Sequence, residues 1–192
     1  MNLYPFLIFL HVVGGVGIFM ALGIEVVALG RLRRAETSAD ARAWMGLMKV
    51  SARMGPVSML TNLATGVWMM VRWWGPQPWL HAAMIAVVAI ALIGGIVTRR
   101  GMRRLRGALA AESGPDLSGA FGGLRSHHAL AASLRVRAAL AVGILALMTM
   151  KPGIAGSFLA LAAAIVAGLL ATIPLGVSRT AATEANRAGG VS

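Results

Sequence analysis

The chain has no cysteine and only six acidic residues among 192. Without thiols it has no disulfides, no thiolate metal sites, no iron–sulfur clusters and no cysteine nucleophile. It also lacks paired carboxylates, an HExxH motif, a glycine-rich phosphate loop and a nucleophile elbow. Hydrolase and kinase chemistry therefore find no support in it. Charge is scarce as well: 12% of the residues are charged, where soluble domains carry about 25%. What fills the space is apolar, with 58% hydrophobic residues and a mean hydropathy of +0.77. That composition excludes a soluble enzyme and reads as one multi-pass membrane domain, residues 1–192.

Five segments reach or approach the ~20 apolar residues that a bilayer span needs. They are residues 3–29, 55–71, 78–98, a fourth that begins near 129 or 137 and ends at 150, and 154–177. The first is too long for a signal-peptide core and has no basic segment before it, so it reads as a retained helix. The expected fold is an all-α polytopic transmembrane bundle, four helices around a shared interior and the fifth beside them. The 24 glycines and many alanines permit close helix packing. Residues 99–133 form a long connection, opening as a basic helix ("RRGMRRLRGALAAE") and continuing as a Gly/Ser/Pro loop ("SGPDLSGAFGG"). Residues 178–192 form a polar tail.

The net charge of +12 is confined to particular loops. Sixteen of the eighteen cations fall in residues 31–53, 99–137 and the tail; Arg72 and Lys151 are the exceptions. Basic loops face the cytoplasm, so five spans place the N-terminus outside and the C-terminus in the cytoplasm. Trp68, Trp73, Trp74 and Trp79 then form an aromatic belt at the outer interface. The same rule, with anionic lipid, accounts for the positive charge, so the expected partner is the bilayer and not nucleic acid.

Polar residues inside apolar runs are the candidate site. His11 lies about 9 Å into the first span, counting from Pro5 at 1.5 Å per residue. It reads either as a ligand or proton site, or as an interhelical hydrogen bond. Gly14, Gly15 and Gly17 thin the helix beside it, which lets a neighbouring helix or a flat cofactor approach. His81, in "PQPWLHAAM", repeats the Leu-His pair of "PFLIFLHVV" on the same outer side. This echo, with "SAR" at 51–53 and "SLR" at 133–135, suggests two parallel helix hairpins followed by a fifth helix. Glu25 lies about 21 Å beyond His11, near its face. It is expected to pair structurally with an arginine, Arg53 or Arg135. Lys151 ends the fourth span on the outer side, where a lysine snorkels or serves a function. His127 and His128 fall beside the loop and are expected to be solvated. Met69, Met70, Met84, Met148 and Met150 gather at the outer end. Thioethers with imidazoles suit copper(I), with His11, His81, Met84 and Met148 as the metal set. Methionine is also ordinary packing material.

Through "FLHVVGGVGIFMALGIE", "GPVSMLTNLATGVWMM" and "SLRVRAALAVGILALMTMKP" the chain resembles a bacterial family of uncharacterised integral membrane proteins. More remotely it resembles the superfamily of copper-resistance D proteins and HemJ-type protoporphyrinogen oxidases. The matches are "LH" in the first helix, Pro56 followed by "TGVW" at 65–68, "WLHAA" at 79–83 and "KP" at 151–152. The resemblance implies a bacterial inner membrane and makes His11 a haem b ligand candidate. His81 is then a second ligand and Lys151 a polar partner for the cofactor. The HemJ-type pattern carries a lysine where this chain has Ala83, and a later histidine where it reads "VVAIALIGG". A methyl group does not replace an ammonium, so the oxidase reaction is not expected, while the implied frame leaves haem or porphyrin binding open. The expected function is haem-binding or redox-associated. The alternatives are copper handling, or a non-catalytic subunit that assembles with a membrane partner or a second copy.

The absence of cysteine makes the topology directly testable. A Gln77→Cys variant should react with an impermeant maleimide in intact cells, and Ser118→Cys only after permeabilisation; the opposite pattern would reverse the orientation.

Overall fold

A computed structural model describes residues 3–112, 114, 117, 121, 123 and 128–172, which form helices and no strands. The expected tail 178–192, His127 and most of the 113–127 loop lie outside the described residues.

Helix α1 spans Tyr4–Arg34, with Pro5 in its first turn and Arg31, Arg33 and Arg34 in its last. Proline suits a helix start, where no amide donor is needed, and cations suit the negative end of the helix dipole. At 31 residues α1 is about 46 Å long, more than the ~30 Å of a hydrocarbon core. Its basic end therefore projects beyond the apolar stretch. Helix α2, Ser38–Met69, starts after a three-residue break. Thr37 caps it by accepting from the Asp40 amide at 3.1 Å. The helix widens into a π turn over Met70–Trp74 and stops at Gly75, whose φ of 67° suits glycine.

Helix α3, Pro78–Ile93, passes through a second π turn at Gly94–Thr98 into α4, Arg99–Ala111. Together they make one continuous helix of 34 residues. Helix α5 covers His128–Met150 and α6 covers Ile154–Leu170. Three helical stretches are long and apolar enough to cross a membrane: Tyr4–Arg34, Pro78–Ala111 and His128–Met150. The α6 helix is apolar but has 17 described residues, and the expected span 55–71 forms the second half of the mixed helix α2.

Packing divides the helices into two groups. One is the α1–α2 pair, the most extensive contact in the molecule. The other sets α5 against α3 and α6, while α1 and α5 join the groups. Close approach depends on glycine. A Cβ on Gly14 would lie 2.9 Å from the Asn62 amide nitrogen and 3.0 Å from the Ser58 carbonyl oxygen, both backbone atoms. A Cβ on Gly168 would lie 2.7 Å from Cα of Val136. At the basic end, Leu29 and Leu32 of α1 share a buried cluster with Met45 and Met48 of α2. Met102, Leu105 and Leu109 of α4 and Phe121 complete it, so the arginine-rich segments form a packed helical cap. Further along, large apolar side chains face outward, among them Phe9, Val57, Leu60, Leu92, Phe158 and Leu159. Such surfaces and the three apolar helices are consistent with a membrane location.

Gly14→Ala is expected to cost about 1–3 kcal/mol by forcing α1 from α2. Gly23→Ala, with nothing within 4 Å of its new Cβ, should leave stability unchanged or slightly raised. Thermal unfolding of both variants in detergent checks the contrast.

Candidate functional site

Among the described residues, two polar clusters link apolar helices and include a residue of α1. The first surrounds Glu25. Its partner is Arg137 of α5, not the expected Arg53 or Arg135. Arg53 and Arg135 point outward at the surface. Arg137, counted among the loop cations in the sequence, is instead only 6% exposed within α5. Its Nη2 donates to Glu25 Oε2 and, at 3.2 Å, to Thr98 Oγ1. Ser51 Oγ sits 2.9 Å from Glu25 Oε1 and 2.9 Å from the Ala21 carbonyl oxygen, so its one proton serves either acceptor. Thr98 Oγ1 in turn lies 3.1 Å from Ser133 Oγ. Four helical elements thus meet on one ion pair. The π turn at Gly94–Thr98 matters here, since it brings both Gly94 and Thr98 to Arg137. A Cβ on Gly94 would stand 3.2 Å from Arg137 Nη1. π turns often mark functional positions in this way.

The second group surrounds His11. Its Nδ1 lies 2.9 Å from the Asn62 carbonyl oxygen and 3.1 Å from Thr65 Oγ1. A carbonyl only accepts, so Nδ1 carries the proton, and in the neutral form of the ring Nε2 keeps its lone pair. Asn62 answers by donating Nδ2–H to the His11 carbonyl at 2.9 Å. Gly66 leaves room for the ring, for a Cβ there would lie 3.0 Å from His11 Cε1. His11 lines two adjoining spaces. A small cavity of about 30 Å³ is walled by His11, Met70, Met84, Met148, Ala83 and Asn62, among others. A larger groove of about 530 Å³ runs from His11 and Met148 past Phe19 to Ile90.

The remaining sequence candidates lie elsewhere. His81 is exposed, and its Nδ1 lies 2.9 Å from the Gln77 carbonyl of its own helix. It is absent from the walls of both spaces beside His11. Lys151 is exposed, adopts φ 46° as it closes α5, and holds Nζ 5.8 Å from the centre of the Trp79 ring. That contact is cation–π in kind. His128 is exposed at the start of α5. Met84 and Met148 do reach His11's cavity, joined by Met70. No cluster of three His, Asp or Glu side chains forms among the described residues.

The sequence reading missed Asn62, Thr65, Ser51 and Thr98, which look like ordinary small polar residues in helices. Their spacing offered a signal. Ser51, Ser58, Asn62 and Thr65 recur at intervals of seven, four and three, one face of a helix. No family model, curated protein or solved structure matches the chain, so the chemistry of these sites rests on their own residues.

Arg137→Leu alone should destabilise the fold by about 3–5 kcal/mol, because it leaves the largely enclosed Glu25 without its cation. The Glu25→Leu/Arg137→Leu double variant should recover much of that loss in the same detergent unfolding assay. Additive losses would show that the two side chains act independently.

Proposed function

We propose that the chain is a non-catalytic membrane protein that holds copper(I) at His11, with Met84, Met148 and Met70 as thioether donors. The supporting observation is the small cavity that these four side chains share. Its walls carry one imidazole, three thioethers and the Asn62 amide, with no carboxylate among them. Soft thioether sulfur and imidazole nitrogen suit Cu(I), while hard cations prefer oxygen. The Nδ1–H bond to the Asn62 carbonyl orients the ring and leaves Nε2 to bind. His81 leaves the set proposed from sequence, since it faces away on its own helix.

Haem b is the second reading, favoured by the groove of about 530 Å³ that begins at the same imidazole. His11 and Met148, which both line that groove, would hold it. Bound there, haem would supply one-electron chemistry. Ala83 speaks against an oxidase reaction in either case. It is buried in the wall of the His11 cavity, where the resembling oxidases carry lysine, and it brings a methyl group instead of an ammonium. Five spans, an outer N-terminus and a bacterial inner membrane remain part of this proposal. They rest on the charge bias and the family resemblance.

Metal analysis and an absorption spectrum of protein purified from copper- and haem-replete cells separate the readings. Near-stoichiometric copper, lost in His11→Ala and weakened in Met84→Leu and Met148→Leu, is the expected result. A Soret band that disappears in His11→Ala would favour haem. Neither copper nor a Soret band, before or after adding Cu(I) or haemin, would overturn both.

A further inference from the structure

The Glu25–Arg137 pair borders a cavity that a purely structural ion pair does not require. The cavity measures about 210 Å³ and is walled by Glu25, Ser51, Thr98, Arg99 and Arg137, with Pro56 and Ala91 at its sides. Three features bear on what it takes. The first is charge. Two guanidinium groups and one carboxylate give the walls a net charge of +1, which matches a single monoanion. The second is an unmet donor. Both hydrogen bonds of the Arg137 guanidinium leave from Nη2, and its buried Nε has no partner among the described residues. An orphaned donor on a charged group is costly inside a protein and asks for an acceptor. The third is access. Helices α2 and α3 touch along little of their length. The wall residues Ala52, Pro56, Ala91 and Arg99 are exposed, and Val57 and Leu92, next to Pro56 and Ala91, are exposed apolar side chains. The cavity therefore opens sideways between α2 and α3, on an apolar flank and near the basic cap.

We infer that this cavity binds a phosphate group carrying one negative charge, the headgroup of an anionic phospholipid from the leaflet at the basic end. Arg99 meets the phosphate at the mouth, and the Arg137 guanidinium in the wall adds its charge from within. Glu25 holds the buried guanidinium in place and tempers its charge, and Ser51 and Thr98 fix that arrangement from either side. A phosphodiester is a monoanion with free oxygen acceptors, and its acyl chains would follow the exposed apolar flank beside Val57 and Leu92. Basic clusters at a membrane surface attract such lipids, and a pocket between helices adds the geometry that a flat cluster lacks. The site lies at the opposite end of α1 from His11 and does not depend on what His11 binds.

The test uses the full chain in nanodiscs of phosphatidylglycerol mixed with phosphatidylcholine, counting retained lipid by native mass spectrometry, beside titration with inorganic phosphate in detergent. Phosphatidylglycerol is expected to be retained in preference to phosphatidylcholine. Arg99→Gln should weaken that retention about fivefold, the scale of one basic side chain at a lipid surface. Arg106→Gln, an exposed arginine outside the cavity, should change it little. Glu25→Gln keeps an oxygen for Arg137 but removes the internal negative charge, so binding should tighten. Inorganic phosphate bound with the same variant pattern, and no lipid preference, would assign the site to a free anion. Equal retention of both lipids with no phosphate binding would overturn the inference. So would an Arg99→Gln effect no larger than that of Arg106→Gln in otherwise folded protein.

Discussion

The ion pair between Glu25 and Arg137 is the constraint on which the bundle's arrangement depends. A carboxylate or guanidinium in an apolar helix interior is tolerable only when it is paired and hydrogen-bonded. Glu25 sits on α1 and Arg137 on α5, helices that belong to the two separately packed groups of the fold. Their pairing fixes the rotation and height of one group relative to the other. The π turn at Gly94–Thr98 serves the same pair: its Thr98 hydroxyl accepts from the guanidinium, and its Gly94 stands where a side chain would crowd Arg137. Ser51 closes the arrangement from α2. One buried charge pair thereby ties together four helical elements that apolar contact alone would let slide, since hydrophobic burial is non-directional.

The α1–α2 contact obeys a second rule, that the polar face of α2 meets small or polar residues of α1. Along α2, Ser51, Ser58, Asn62 and Thr65 occupy one face, and α1 answers with Glu25, Ala21, Gly14 and His11. Small residues on α1 bring the backbones close enough for the α2 side chains to bond α1's own atoms. Ser51 reaches the Ala21 carbonyl and Asn62 the His11 carbonyl. Each of these bonds fixes register as well as contact, as interhelical hydrogen bonds do in membranes. His11 is part of this seam, because Asn62 accepts from its ring while donating to its carbonyl. The hydrogen bond that makes the imidazole look structural is the same one that leaves its second nitrogen available to a ligand.

The apolar runs made the helical class legible, because the hydropathy of long segments integrates over many residues. Boundaries were legible where chemistry marks them: Pro5, Pro78 and the Lys151-Pro152 pair all stand at helix ends. The partner of Glu25 was not legible. Sequence ranks arginines by nearness to apolar runs, and Arg135 and Arg137 differ by two positions that a helix turns through about 200°. Only the packing of α5 decides which of them faces inward. His81 failed for the same reason. Its Leu-His echo of His11 is a likeness of letters, and on α3 that register faces outward while Leu80, Ala82 and Ala83 face in. Met84 and Met148 were legible as a tendency, since thioethers gather at that end, but their meeting at His11 required the interior of the bundle.

The two polar sites stand about 21 Å apart along α1, by the rise of fourteen residues. The space between them is continuous in its walls, for Ile18, Met59 and Ile90 border both the groove beside His11 and the cavity beside Glu25. Yet the two ends differ in kind. The His11 end offers neutral nitrogen and soft sulfur in an apolar setting, which favours a polarizable cation of low charge. The Glu25 end offers fixed charges and hydroxyls near an arginine-rich surface, which favours a hard anion. Ile18, Met59 and Ile90 form an apolar stretch in which neither ligand would find a partner. Such a separation would keep two proposed sites chemically independent. A single mixed polar interior would let the guanidinium and the imidazole compete for the same acceptors, whereas here each has its own hydrogen-bonded cradle.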